Sequence, residues 1–274
     1  MKKELLLLAI IAMAGYANAQ IIITGIANDV KGADANYEYI QLLATEDIDF
    51  AKTSYALVTC TNAGTAMPNP GEAPVTGWAT GGGRTYKFNL NTGNVKAGEF
   101  FYVGGSNKRI NGSKSTDIKD AKWIRTIDYK NGSGDGFGEA TGGLLPNSGN
   151  AGGIALFVGT AVEESSKPID VVFFGGKGRA TILNQALGRG YRVADNDNYN
   201  SNAGTQPFFL QGKNTYVISY IDPAEQGAFM MLGGEYDAKN KSWKRKRSVN
   251  YFVMADNTTV DEIEKGKGVT LLSK

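Results

Sequence analysis

Short apolar runs separated by clusters of Gly, Asn, Asp and Ser set the pattern of this chain from residue 21 onward. Ile21-Ile22-Ile23-Thr24-Gly25-Ile26 leads into Asp/Gly/Asn turn chemistry, and alternation resumes at Tyr37-Glu38-Tyr39-Ile40-Gln41-Leu42. Successive side chains of a strand point to opposite faces, so the stretch reads as strand, loop, strand. Tyr37, Tyr39 and Gln41 then share one face, with Glu38, Ile40 and Leu42 on the other. A carboxylate beside two apolar neighbours is costly when buried unpaired, so Glu38 calls for a cation or several N–H donors. The same pattern predicts strands over residues 48–50, 55–60, 84–90, 96–103, 123–129, 153–158, 169–175, 208–210, 215–220, 229–232, 242–255 and 269–272. Asp237 to Asn240 turns a hairpin between two of them. Ala180 to Leu187, closed by Gly188, is the one helix the pattern predicts, with Ile182, Leu183, Ala186 and Leu187 on its apolar face. Residues 62–83, with Trp78 as a large anchor, and residues 195–205 read as loops.

The first nineteen residues follow a different rule. Met1-Lys2-Lys3-Glu4 precedes an apolar run from Leu5 to Ala14, and Ala17-Asn18-Ala19 supplies a small-x-small cleavage site. This is the pattern of a secretory signal peptide, and it predicts a mature chain starting at Gln20. The apolar run is shorter than the roughly 20 residues a transmembrane helix needs. Composition sharpens the fold class: 36 Gly, 13 Tyr and 12 Phe against 7 Pro suit many strands joined by many turns. A formal charge of +2 gives the whole molecule no strong preference for nucleic acid or membrane. With one cysteine, Cys60, the chain cannot close a disulfide on itself, and the strand around Cys60 predicts a buried small hydrophobe. The absence of His excludes Ser-His-Asp and Cys-His nucleophiles, His-ligated zinc and imidazole bases.

Residues 21–175 resemble the lamin-tail domain family, in short and interrupted motifs. Asn36-Tyr37-Glu38-Tyr39-Ile40-Gln41-Leu42 fits that family's second strand, Tyr55-Ala56-Leu57 stands where it has a Trp-x-Leu step, and Lys96 to Val103 fits a later strand. Ile169-Asp170-Val171-Val172-Phe173-Phe174-Gly175 fits the closing strand, with Asp170 and Gly175 in place. Gly25 stands where the family tends to carry Glu, Ala44-Thr45 where it tends to carry Tyr-Asn, and residues 106–150 are least like it. The resemblance implies an immunoglobulin-like β-sandwich and, in secreted bacterial proteins, a part played beside hydrolase or adhesive domains.

Three stretches carry candidate chemistry. Lys241-Ser242-Trp243-Lys244-Arg245-Lys246-Arg247 packs five cations and a Trp into seven residues. On a regular strand Trp243, Arg245 and Arg247 share one face and Lys244 and Lys246 the other, a polyanion contact or a charge-protected edge. Phe173 to Arg179 has the outline of an anion loop, with Lys177 and Arg179, although Gly178 follows Lys177 where a phosphate loop needs Ser or Thr. Asp195-Asn196-Asp197-Asn198 places oxygens at alternate positions, as a calcium loop does; Asn200 and Gln206 exclude an EF-hand, and turns bonded to their own backbone are the commoner reading. Asp128, Asp135 and Glu139 surround a Gly-rich loop, where two carboxyls could serve a hydrolase if they converged.

The expectation is an all-β, immunoglobulin-like sandwich of lamin-tail type with one short helix. The lamin-tail-like part spans about residues 21–175 and a β extension about 176–274, in a single elaborated domain. The expected function is a secreted, non-enzymatic surface or matrix module that meets a polyanion or glycan, reads no nucleic-acid sequence and needs no cofactor beyond an optional structural calcium ion. A secreted carbohydrate-active or phosphoester hydrolase using carboxylates alone is the alternative.

Overall fold

The computed structural model describes residues 20–61, 75, 84–147, 152–166, 168–174, 183–184, 189–193, 199–201, 207–209 and 227–273. The expected signal peptide, Trp78, Lys177, Arg179, Asp195, Asp197 and the strand expected over 215–220 all lie outside the described residues. In chain order the elements are β1 (Ile21–Ala27), β2 (Tyr39–Ala44), β3 (Ile48–Asp49), β4 (Tyr55–Thr61), β5 (Arg84–Leu90), β6 (Asn94–Val95), β7 (Phe100–Gly105), β8 (Trp123–Ile127), β9 (Gly152–Val158), β10 (Asp170–Phe174), β11 (Leu183–Asn184), β12 (Arg189–Val193), β13 (Tyr199–Ser201), β14 (Pro207–Phe209), β15 (Ala228–Asp237), β16 (Ser242–Val253), α1 (Val260–Glu264) and β17 (Thr270–Ser273).

Two sheets make the sandwich. One runs β16-β15-β1-β2-β7-β8 with β17 beside β15; the other runs β10-β9-β4-β5. Strands β15 and β16, far along the chain, therefore share a sheet with β1 and β2. Ile21, Ile23, Ile26, Ile40, Leu42, Phe101, Val103, Met230 and Leu232 from the first sheet meet Leu57, Phe88, Ile154, Leu156, Val172 and Phe174 from the second. Fully burying side chains of this size stabilises the fold by about 1.5–3 kcal/mol each. The inward set of β1 shifts from odd to even numbers because a bulge at Thr24 interrupts the pairing with β2 between Ile23 and Gly25.

Both outer faces are covered too, which explains why the strands read as apolar runs rather than strict alternation. On the first sheet, Tyr39, Tyr102, Phe229 and Met231 lie beneath Ile110, Ile118, Met254, Ile263 and Val269. On the second, Ala56, Val58, Cys60, Ala155, Phe157 and Val171 pack under Phe137 and Val162. Cys60 is buried and in no disulfide, in keeping with the small hydrophobe expected there. Gly25 stands where a Cβ would lie 2.1 Å from the Phe229 ring, so any side chain there would have to displace that ring.

The helix is not where periodicity put it. Leu183 and Asn184 form β11, paired antiparallel with Gly190 and Arg189 of β12. Eight residues are too few to hold a helix without tertiary support, and strand pairing wins. Among the described residues the helix is α1, which starts after Thr259, where the Glu262 carboxylate accepts the Thr259 backbone N–H at 2.7 Å. That Thr-x-x-Glu spacing is the start signal of a capping box.

Candidate functional site: a basic hairpin on a sealed sandwich

The β15–β16 hairpin is built from its turn outward. Asp237 accepts the Asn240 N–H and the Asn240 Nδ2 amide, each at 2.9 Å, and Lys244 Nζ lies 3.3 Å away. These bonds, the Asn240 backbone N–H foremost, hold the Asp237 carboxyl down to about 2. The turn is thus closed by a charge that stays ionised throughout the neutral range.

Beyond the turn, strand pairing is irregular. Gly233 pairs with Ser248, Glu235 with Arg245 and Tyr236 with Trp243, so β16 carries extra residues on either side of Arg245. Bulges re-aim side chains. Trp243 turns inward against Tyr236, the rings 5.3 Å apart and edge-to-face, in a cluster with Ile22 and Leu43. Arg247 also turns inward; its guanidinium lies 4.7 Å from the centre of the Trp243 ring. Gly234, at φ +132°, makes this possible, since a Cβ there would sit 2.8 Å from the Trp243 ring. Lys244, Arg245 and Lys246 remain exposed in an unbroken row, with exposed Lys239 in the turn.

The two-face reading of this strand is therefore corrected. Of the five residues expected to meet a polyanion, Lys244, Arg245 and Lys246 are on the surface, while Trp243 and Arg247 are buried. Trp243 cannot stack on a ligand. No feature of the local sequence separates Arg247 from its neighbours; its partner is 77 residues away.

That partner is Asp170 on β10, in the opposite sheet. Arg247 Nη1 and Nη2 donate to its two oxygens at 3.0 and 2.9 Å, with residue exposures of 2% and 1%. Ile23 N–H adds a bond to Asp170 Oδ2 at 2.7 Å, and Val171 N–H one to Oδ1 at 3.0 Å. Burial pushes the Asp170 carboxyl up and the guanidinium pulls against it. The pair ties the two sheets together beside β1.

Other carboxylates are tied into structural bonds as well. Glu38 is fully buried and is met by N–H donors, as its place in the strand demanded: Leu144 N–H on Oε2 and Leu145 N–H on Oε1 at 3.0 Å. Asp135 takes a two-pronged contact from Arg125, at 2.9 and 2.6 Å, and the Asn89 N–H at 2.8 Å. Asp128 accepts Asn36 Nδ2 at 2.5 Å and Asn131 Nδ2 at 2.9 Å. Glu139 lines a pocket of about 320 Å³ with Tyr86, Phe137 and Thr141. A larger cleft of about 630 Å³ lies elsewhere; its Asp47 and Asp49 carboxylates pair with Lys96 and Lys52 at 2.8 and 3.2 Å. Asp34 escaped the sequence reading. It is half-buried, and burial together with nearby Asp29 raises its carboxyl to about 6.

Among the described residues no group of three His, Cys, Asp or Glu side chains is placed to hold a metal ion. No described helix is long and apolar enough to cross a membrane. In comparison with known proteins, the chain matches no family model, no curated protein and no solved structure.

Proposed function

We propose that this chain is a secreted, non-enzymatic surface or matrix module of lamin-tail type, which meets polyanions or anionic glycans through its β15–β16 hairpin. The observation that carries the reading is the exposed row Lys244-Arg245-Lys246, set by two bulges at the end of the sheet order. Three cations in succession span roughly 7 Å, at about 3.4 Å per residue, close to the spacing of anionic repeats. The underside of the row is held by Trp243 packed on Tyr236, so the backbone that carries the cations is ordered before an anion binds. With no exposed aromatic in the row, recognition is by charge alone, and it weakens with salt.

The experiment is chromatography of the mature chain on immobilised heparin. Retention is expected near 0.05 M salt and should be lost by roughly 0.2 M. Replacing Lys244, Arg245 and Lys246 together by Ser should abolish it; Arg247 is left alone because it belongs to the core. Equal retention of the triple variant and the parent would overturn the proposal, and aggregation of the variant with unchanged retention would assign the row to edge protection instead.

A further inference from the structure

Glu38 lies just before β2, and the contacts around its carboxyl allow the protons to be counted. Tyr129 Oη is 2.6 Å from the Asp34 carbonyl oxygen and 2.9 Å from Glu38 Oε2. A phenol carries one proton. The Asp34 carbonyl can only accept, and it makes the shorter contact, so the phenol proton belongs there. The 2.9 Å contact between two oxygens then needs a proton from the other side. Oε2 also accepts Leu144 N–H, and Oε1 accepts Leu145 N–H. A protonated carboxyl oxygen can donate and accept at once; a carboxylate cannot donate, and an amide nitrogen cannot accept.

We propose that Glu38 is held as a neutral carboxylic acid donating to Tyr129, and so closes a proton-dependent clasp. The clasp fastens three segments across one end of the sandwich: the β1–β2 loop, the segment after β8 and residues 144–147. The groups that bear on it are few. Asp34 and, behind it, Asp29 belong to its own loop, and Asn147 Nδ2 donates to Asp34 Oδ2 at 2.9 Å. Tyr129 follows β8, flanked in sequence by Asp128 and Lys130, and Tyr86 of β5 meets its ring edge-on at 6.4 Å. The segment bearing Glu139 and Thr141 offers the carboxyl only the Leu144 and Leu145 amides. Burial, first of all, and the nearby Asp34 charge favour the neutral acid, against the pull of the two amides. Taking the proton away leaves two facing lone pairs or robs the Asp34 carbonyl of its donor. Either way the clasp loosens.

Infrared spectroscopy of protein labelled with 13C-glutamate tests this directly. A protonated-carboxyl C=O band should persist at pH 7, vanish in Glu38→Gln, and move to higher frequency in Tyr129→Phe, whose carboxyl has lost its acceptor. Hydrogen exchange gives a second readout independent of Glu38→Gln folding. Protection of the Leu144 and Leu145 amides should fall by at least about tenfold between pH 5 and pH 8, the factor one unit of proton linkage is worth. Absence of the band in the parent protein at pH 7, or a band unmoved by Tyr129→Phe, would show that Glu38 is an ordinary buried carboxylate.

Discussion

Arg247 shows how much one side chain can hold when its charge is taken into the core. Its guanidinium reaches from β16 to Asp170 in the opposite sheet and also donates to the Ile23 carbonyl at 3.3 Å. A buried ion pair is not in itself a large source of stability, because both ions are desolvated to form it. Breaking one side is another matter: the survivor is left charged in an apolar setting. Replacing Asp170 by Asn, or Arg247 by Met, should destabilise the fold by about 3–5 kcal/mol in urea unfolding. The pair Asp170→Leu with Arg247→Met should recover much of that loss, less the bonds that the Ile23 and Val171 N–H groups make to Asp170 and that the Ile23 carbonyl accepts from Arg247. Equal losses in single and double variants would mean that the geometry of the pair, and not its charge, holds the sheets.

At the scale of elements, the glycine run from Gly132 to Gly138 is the clearest case of sequence chemistry explained by a neighbour. Asp135 N–H donates to the Lys87 carbonyl at 2.8 Å, and Lys87 N–H to the Phe137 carbonyl at 3.3 Å. The loop thus lies along β5, the end strand of its sheet, as a substitute partner. Phe137 then covers the outer face, with Lys87 Nζ 5.4 Å from its ring centre and bonded to the Thr160 carbonyl at 2.5 Å. Such closeness leaves no space for side chains: a Cβ at Gly138, where φ is +104°, would lie 2.8 Å from the Thr85 carbonyl. Gly138→Ala should cost about 1–3 kcal/mol through backbone strain. If the strap is lifted, the unpaired β5 edge should also promote aggregation, measurable by light scattering on heating. A variant as stable and as soluble as the parent would show that the strap is incidental.

For the molecule as a whole, the perturbed carboxyls divide into two groups with opposite consequences for pH. Asp34, raised to about 6 chiefly by burial, and Glu38 and Glu264, raised by burial, bind protons more tightly folded than unfolded. Their contribution is full below the ordinary carboxylate range and is lost as pH rises toward their folded values. Asp237, held down to about 2 by the Asn240 N–H, works the other way, and its contribution is lost as pH falls through that value. Asp135 joins it: burial pushes its carboxyl up, but Arg125 and the Asn89 N–H bring it below the ordinary value. The melting temperature should therefore peak in mildly acidic solution, at about pH 4 to 5, and decline toward both pH 2 and pH 7. Asp34→Asn should flatten the decline between about pH 4 and pH 6. A melting temperature that rises steadily from pH 4 to pH 7 would contradict this assignment.

Much of the architecture was legible along the chain. Alternation located β2 and β5, apolar runs located β4 and β9, Tyr39 and Gln41 were assigned to one face and Ile40 and Leu42 to the other, and Glu38 was marked as a carboxylate that, if buried, needs a cation or several N–H donors. Such features depend on a strand's period of two and on the cost of an unpaired charge, both local. What the sequence could not show was where long-range partners cancel local tendencies. The bulges that part exposed Arg245 from buried Trp243 and Arg247 follow from β16 pairing with β15 over Gly234, and Arg247 meets an aspartate on the far sheet. Leu183 and Asn184 took a strand partner in place of a helix. Asp34 owes its raised value to burial and to Asp29, and neither can be read without the fold. Periodicity is written in neighbours along the chain, but burial and charge pairing are properties of neighbours in space, and only the tertiary structure decides those.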